Sequence, residues 1–201
     1  MPRFARPIVM MLLILGLVLF LGVHSVRVFA EPLRTSVRAK LGEGGWKGVY
    51  SLLSIAGFVL IIYGYGQARL DPVLLWAPMA WTRAVAALLT LIAFVILFAA
   101  YVPKNSIKAK LHHPMVLAVK IWAVSHLLAN HTLADLLLFG SFLLWAVLSF
   151  RAARQRDRVA GTVYPPGTVV GTLVTVVLGV GAWLAFALWA HEAWIGVRPF
   201  G

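Results

Sequence analysis

The chain has 201 residues, of which 62% are apolar and 12% charged, and its mean hydropathy is +0.92. A soluble domain carries about 25% charged residues, so there is too little charge here to coat a water-facing surface, and the bilayer is the expected solvent. Eighteen Lys and Arg stand against six Asp and Glu, for a net charge of +12. In a soluble chain that balance points to nucleic acid. In short gaps between apolar runs it reads instead as a topology signal and as contact with anionic lipid, so lipid is the expected partner and nucleic acid is not. The chain has no cysteine. That excludes disulfides, thiolate metal sites and thiol nucleophiles, and leaves a bound metal to His, carboxylate or Met.

A helix needs roughly 20 apolar residues to cross about 30 Å of hydrocarbon. Runs of that kind occupy residues 7–26, 48–68 and 84–103. Residues 111–134 carry one charge, Lys120, and residues 136–150 form a shorter run; the two predict spans at 114–130 and 133–150, joined by Asn130-His131-Thr132 as a tight hairpin. In the last run, Tyr164-Pro165-Pro166-Gly167 reads as a turn before a span at 168–190. The expected fold is therefore all-α, an integral membrane bundle of six transmembrane helices in a single domain over residues 1–201. Thr132 and Asp135 have the spacing of a capping box, which explains an acid at that depth without catalysis. The longest connection, about residues 27–47, contains Leu41-Gly42-Glu43-Gly44-Gly45 and reads as flexible loop.

Basic residues predict the sidedness. Arg27, Arg34, Arg38, Lys40 and Lys47 follow span one, Lys104, Lys108 and Lys110 follow span three, and Arg151, Arg154, Arg156 and Arg158 follow span five. Only Arg3, Arg6, Arg69, Arg83 and Arg198 lie on the other side. The positive-inside rule makes the first set cytoplasmic and places both termini outside, with Trp76, Trp81, Trp189 and Trp194 as an outer aromatic belt. Arg3, Arg6, the first apolar run and Val28-Phe29-Ala30 also resemble a signal peptide. The basic cluster from Arg27 to Lys40 resists translocation, so an uncleaved first span is expected.

An ionisable group in hydrocarbon is costly and calls for a function and a partner. His24 lies toward the inner end of span one and His126 inside span four, where Met115, Val119, Trp122 and His126 share a helical face. One imidazole from each of two helices can hold the two axial faces of a haem, and Arg27, Arg34 and Arg38 stand where propionates need cations. The other reading is an imidazole bonded to backbone or headgroup. His131 and His191 read as interfacial, His112 and His113 as wet residues before Pro114, and Lys120 as a snorkelling cation. No span carries paired carboxylates, a phosphate loop or a nucleophile with a base. Gly57, Gly64 and Gly66, and Gly171, Gly179 and Gly181, read as close helix packing.

His24-Ser25-Val26-Arg27, Leu41-Gly42, Gly48-Val49-Tyr50-Ser51-Leu52, His113-Pro114-Met115, Trp122-Ala123-Val124-Ser125-His126-Leu127-Leu128-Ala129-Asn130 and Asp135-Leu136-Leu137-Leu138-Phe139-Gly140 occur in this order. Together they resemble the NnrU family, over nearly the whole chain. The resemblance implies a multi-pass protein of the bacterial inner membrane, linked to nitrite and nitric oxide reduction in denitrification and to respiratory nitrogen-oxide reductase components. The family includes the 15-cis-zeta-carotene isomerase of plants and cyanobacteria, which holds haem b between two histidines. Carried over, those ligands fall on His24 and His126. His113 stays open as the alternative second ligand, because His24 is expected near the inner face and His126 beyond mid-depth. Two positions depart from the pattern: Ala123 replaces a cysteine of the plant enzymes, and Asn130-His131 replaces an Asn-Gly turn. Three functions follow as expectations: a haem-b protein supporting denitrification, a haem-dependent cis–trans isomerase of a carotene-like polyene, and a cofactor-free assembly factor.

Overall fold

A computed structural model describes residues 5–77 and 79–200, with side chains from Pro7 onward. Arg3 lies outside the described residues, as does the side chain of Arg6. The described residues form helices and no strand. In chain order they are α1 (Ala5–Phe29), α2 (Glu31–Ala68), α3 (Ala80–Tyr101), α4 (Ser106–Leu111), α5 (Pro114–Ala129), α6 (Leu133–Ala160), α7 (Val169–Ala185) and α8 (His191–Ile195), with a π-helical turn, Phe186–Ala190, before α8.

Five of these stretches are long and apolar enough to cross a membrane: Pro7–Phe29, Glu31–Ala68, Ala80–Tyr101, Leu133–Ala160 and Val169–Ile195. Only 11–33% of the residues in their most apolar segments are buried. Their exposed side chains are largely Leu, Ile, Val and Phe, which is a surface suited to lipid and not to water. The expected fourth span, 114–130, matches α5 to within one residue, and it is short for a crossing. The 16 residues of α5 reach about 24 Å at 1.5 Å per residue, less than the hydrocarbon thickness. The expected loop at residues 27–47 is different. Helix α2 begins at Glu31 and passes through the glycine-rich stretch, broken only at Gly42, whose φ of 69° is a conformation that favours glycine. Exposed pairs of Glu31 with Arg34 (2.5 Å) and of Glu43 with Lys47 (2.9 Å) and Arg38 (3.3 Å) lie on either side of the break and across it.

The chain divides into two compact units, Met1–Ala77 with His131–Ser149, and Pro78–Asn130 with Phe150–Gly201. In the first, α1 and α2 pack antiparallel through glycine. A Cβ on Gly64 would stand 2.5 Å from the Leu13 backbone nitrogen, one on Gly16 would stand 2.7 Å from that of Ile61, and one on Gly57 would stand 2.7 Å from that of Phe20. Only hydrogen fits at these three positions, and Leu13 is fully buried. The first half of α6 runs parallel to α1: Phe142 meets Phe20 at 5.9 Å and Trp145 meets His24 at 6.2 Å. The capping box expected at its start is present, with Thr132 N–H donating to Asp135 at 2.9 Å and Asp135 N–H to Thr132 Oγ1 at 3.2 Å. Asp135, buried, also accepts from the Tyr65 hydroxyl at 2.6 Å. A short bridge pins the segment after α2 to this corner: Leu75 N–H donates to His131 and Leu133 N–H to Val73, each at 2.9 Å.

In the second unit, α7 packs on α3, where a Cβ on Gly179 would stand 2.6 Å from Val95 Cα. The Trp183 indole donates to Thr90 at 3.0 Å. Asn105 caps α4, accepting from Lys108 N–H at 2.7 Å, and Thr168 caps α7 directly after the expected Pro-Pro-Gly turn.

Candidate functional site

His24 lies one turn from the end of α1, and its surroundings follow from the i, i+4 geometry of a helix. Phe20, one turn earlier, stacks on the imidazole at 4.3 Å, and its carbonyl accepts from Nδ1 at 2.7 Å. Tyr50 from α2 stands at 5.3 Å and Trp145 from α6 meets the ring edge-on at 6.2 Å, with 86° between planes. A carbonyl only accepts, so Nδ1 carries the proton and Nε2 keeps its lone pair. Metal-bound histidines use this arrangement, donating one ring N–H to backbone or carboxylate and ligating through the other nitrogen. Arg27 is exposed three residues further along α1, on the same side.

His126 repeats the pattern in the second unit. Its Nδ1 donates to the Trp122 carbonyl at 2.9 Å, and the Trp122 ring lies 5.0 Å away at i−4. The buried Ser125 hydroxyl, 3.2 Å from the same Nδ1, donates to the Trp122 carbonyl at 2.7 Å. Among the described histidines, an aromatic residue at i−4 whose carbonyl takes the Nδ1 proton is common to His24 and His126 and to no other.

The other histidines are held differently. His113 caps α5 and donates through Nε2 to Asp157 at 2.8 Å; the Tyr164 hydroxyl donates to the same oxygen at 2.9 Å. Burial, and then the Asp157 carboxylate, push the Tyr164 phenol above its ordinary value, so it remains a donor. His112 stacks on Tyr164 at 4.2 Å, and its Nδ1 accepts from the Arg154 guanidinium. His112 also has a φ of 69°, rare for a residue with a side chain. The two residues expected to be wet are therefore half-buried parts of a polar knot. Lys120 lies over the Phe150 ring at 5.1 Å, a cation–π contact. His191 Nδ1 donates to the Val197 carbonyl at 2.7 Å near an exposed helix end. His131, expected to be interfacial, has a buried Nδ1 without a hydrogen-bond partner.

The sequence singled out His24 and His126 but not the side chains that surround the histidines, Tyr50, Trp145, Asp157 and Tyr164. Asp157 is 44 residues from His113, and Trp145 meets His24 from another helix. No local spacing reports such contacts. Among the described residues no three of His, Asp and Glu are arranged to hold a metal ion.

In comparison with known proteins, the family model described as NnrU protein matches residues 12–199, which takes in both units and every histidine. No curated relative and no solved structure matches the chain.

Proposed function

The chain belongs to the NnrU family, and on that premise we propose that it is a haem-b-binding protein of the bacterial cytoplasmic membrane that supports nitrite and nitric oxide reduction. His24 and His126 would hold the haem iron, and Arg27 would supply a cation for a propionate. The observation that carries this reading is the shared tautomer of the two imidazoles, each of which donates its Nδ1 proton to the i−4 carbonyl, as metal-binding histidines do. His113, the alternative, spends Nε2 on Asp157 and is less suited.

The residues fit the group in two further ways. A porphyrin brings its own four equatorial nitrogens, so it needs single imidazoles and not a cluster of side-chain ligands. Phe20, Tyr50 and Trp145 around His24 give the flat aromatic walls that a macrocycle packs against. Haem held by two imidazoles supplies one-electron transfer. The protein's part is to fix the imidazole tautomers, exclude water and place the cation.

In this reading α5 is a sixth, short crossing that the bilayer meets by local thinning, and both termini are periplasmic. The protein purified from cells supplied with haem is expected to show a Soret band, which His24→Ala and His126→Ala each abolish and His191→Ala leaves. A band that survives both of the first changes contradicts the assignment. Deleting the gene is expected to slow nitrite or nitric oxide consumption by cells respiring nitrate; unchanged consumption contradicts the metabolic half.

A further inference from the structure

Inside a bilayer no water reaches a buried donor, so polar side chains on spanning helices bond to the protein or to something bound in it. Most here do the first. The hydroxyls of Thr90, Ser125, Thr172 and Thr175 donate to carbonyls one turn back at 2.7–3.0 Å, and the Trp183 indole donates to Thr90. In the first unit Trp145 Nε1 and Ser149 Oγ do neither. Both atoms are buried without a hydrogen-bond partner, and Ser149 as a residue is only 7% exposed.

Their placement gives the two donors a common purpose. Trp145 and Ser149 are four residues apart on α6 and so lie on one face, the face from which the indole meets the His24 ring. Because α6 and α1 run parallel, the turn after Trp145 lies level with the turn after His24. Arg27 is on that turn of α1. The imidazole, the Tyr50 phenol and the indole thus form one level, and the Ser149 hydroxyl and the Arg27 guanidinium form the next. A flat apolar body carrying a carboxylate at one edge matches this pair of levels: rings beside rings, and two neutral donors and a cation beside the anion.

We propose that Trp145 and Ser149 donate hydrogen bonds to a propionate carboxylate of the haem whose iron His24 holds, with Arg27 balancing its charge. This assignment rests on the haem reading above. It gives the two partnerless donors an acceptor and gives the macrocycle one orientation, its propionates toward the end of α1 that bears Arg27. Ser54 Oγ, also buried without a partner, lies one turn beyond Tyr50 on antiparallel α2 and therefore on the opposite side of His24. It takes no part.

The test titrates the full-length protein in detergent with haem b and with haem b dimethyl ester, in which both carboxylates are masked. Wild type is expected to bind the free acid about tenfold or more tighter than the ester, as the loss of hydrogen bonds to a charged group implies. Trp145→Phe and Ser149→Ala should each narrow that ratio and the double variant should bring it close to one, with the Soret position unchanged; Ser54→Ala should keep the wild-type ratio. Equal affinity of wild type for acid and ester, or a double variant that keeps the preference, overturns the assignment and leaves the haem reading standing. Failure of wild type to give a Soret band with either compound overturns both.

Discussion

His24 and His113 are both half-buried imidazoles near the end of an apolar helix, yet their neighbours claim opposite nitrogens. In the first unit a backbone carbonyl takes Nδ1 of His24 and aromatic rings enclose it. In the second, a carboxylate takes Nε2 of His113, and Arg154, Asp157 and Tyr164 surround it and its neighbour. The first environment leaves a nitrogen with its lone pair among aromatic rings. The second uses up its donors and acceptors on one another, binding the α4–α5 junction to the end of α6 and the Tyr164 turn. An imidazole's role is set by which nitrogen its surroundings occupy.

Substitution separates these roles. The largest expected effect is total: His24→Ala loses the haem spectrum, whereas His113→Ala retains it. A His113→Ala protein without a Soret band would reverse the comparison. Next is Gly64→Leu, which forces a side chain against the Leu13 backbone and is expected to cost about 3 kcal/mol or more. Because α1–α2 packing holds Tyr50 against His24, haem should be lost with the fold although no ligand is touched. Gly66→Leu, which meets open space, should accumulate and bind normally; both are read from yield and the Soret band. Tyr65→Phe leaves buried Asp135 one donor short and should lower stability by about 1–2 kcal/mol in thermal unfolding, with haem retained. The smallest effect is expected from Tyr164→Phe, because Asp157 keeps His113 as a donor: a small fall in Tm and an unchanged spectrum.

The local features of this fold were legible and the long-range ones were not. Thr132 and Asp135 announced a helix start because a capping box is four consecutive residues, and Tyr164-Pro165-Pro166-Gly167 announced the turn before α7 for the same reason. Glycines were read correctly where they meet another helix, at Gly57, Gly64 and Gly179, and incorrectly at Gly66 and Gly181, which face open space. Sequence alone does not say which side of a helix has a neighbour. The stretch at Leu41–Gly45 read as loop because glycine is a poor helix former, yet the structure breaks only at Gly42, with ion pairs on either side of it. At the site, His24 and His126 stood out because titratable groups are rare in spans, while Tyr50 and Trp145 were hidden among 24 aromatic residues. The orientation of each imidazole, the feature on which the functional reading turns, needed coordinates.

The central claim is that His24 ligates iron through the nitrogen its backbone leaves available, and rescue by a small ligand tests it most directly. Purified His24→Ala mixed with haem is expected to give no protein-bound haem spectrum and to recover the low-spin ferric spectrum of wild type, eluting with the protein, when free imidazole is added, since imidazole supplies the missing nitrogen without restoring the side chain. A His24→Ala protein that shows the wild-type low-spin spectrum before any imidazole is added contradicts the account.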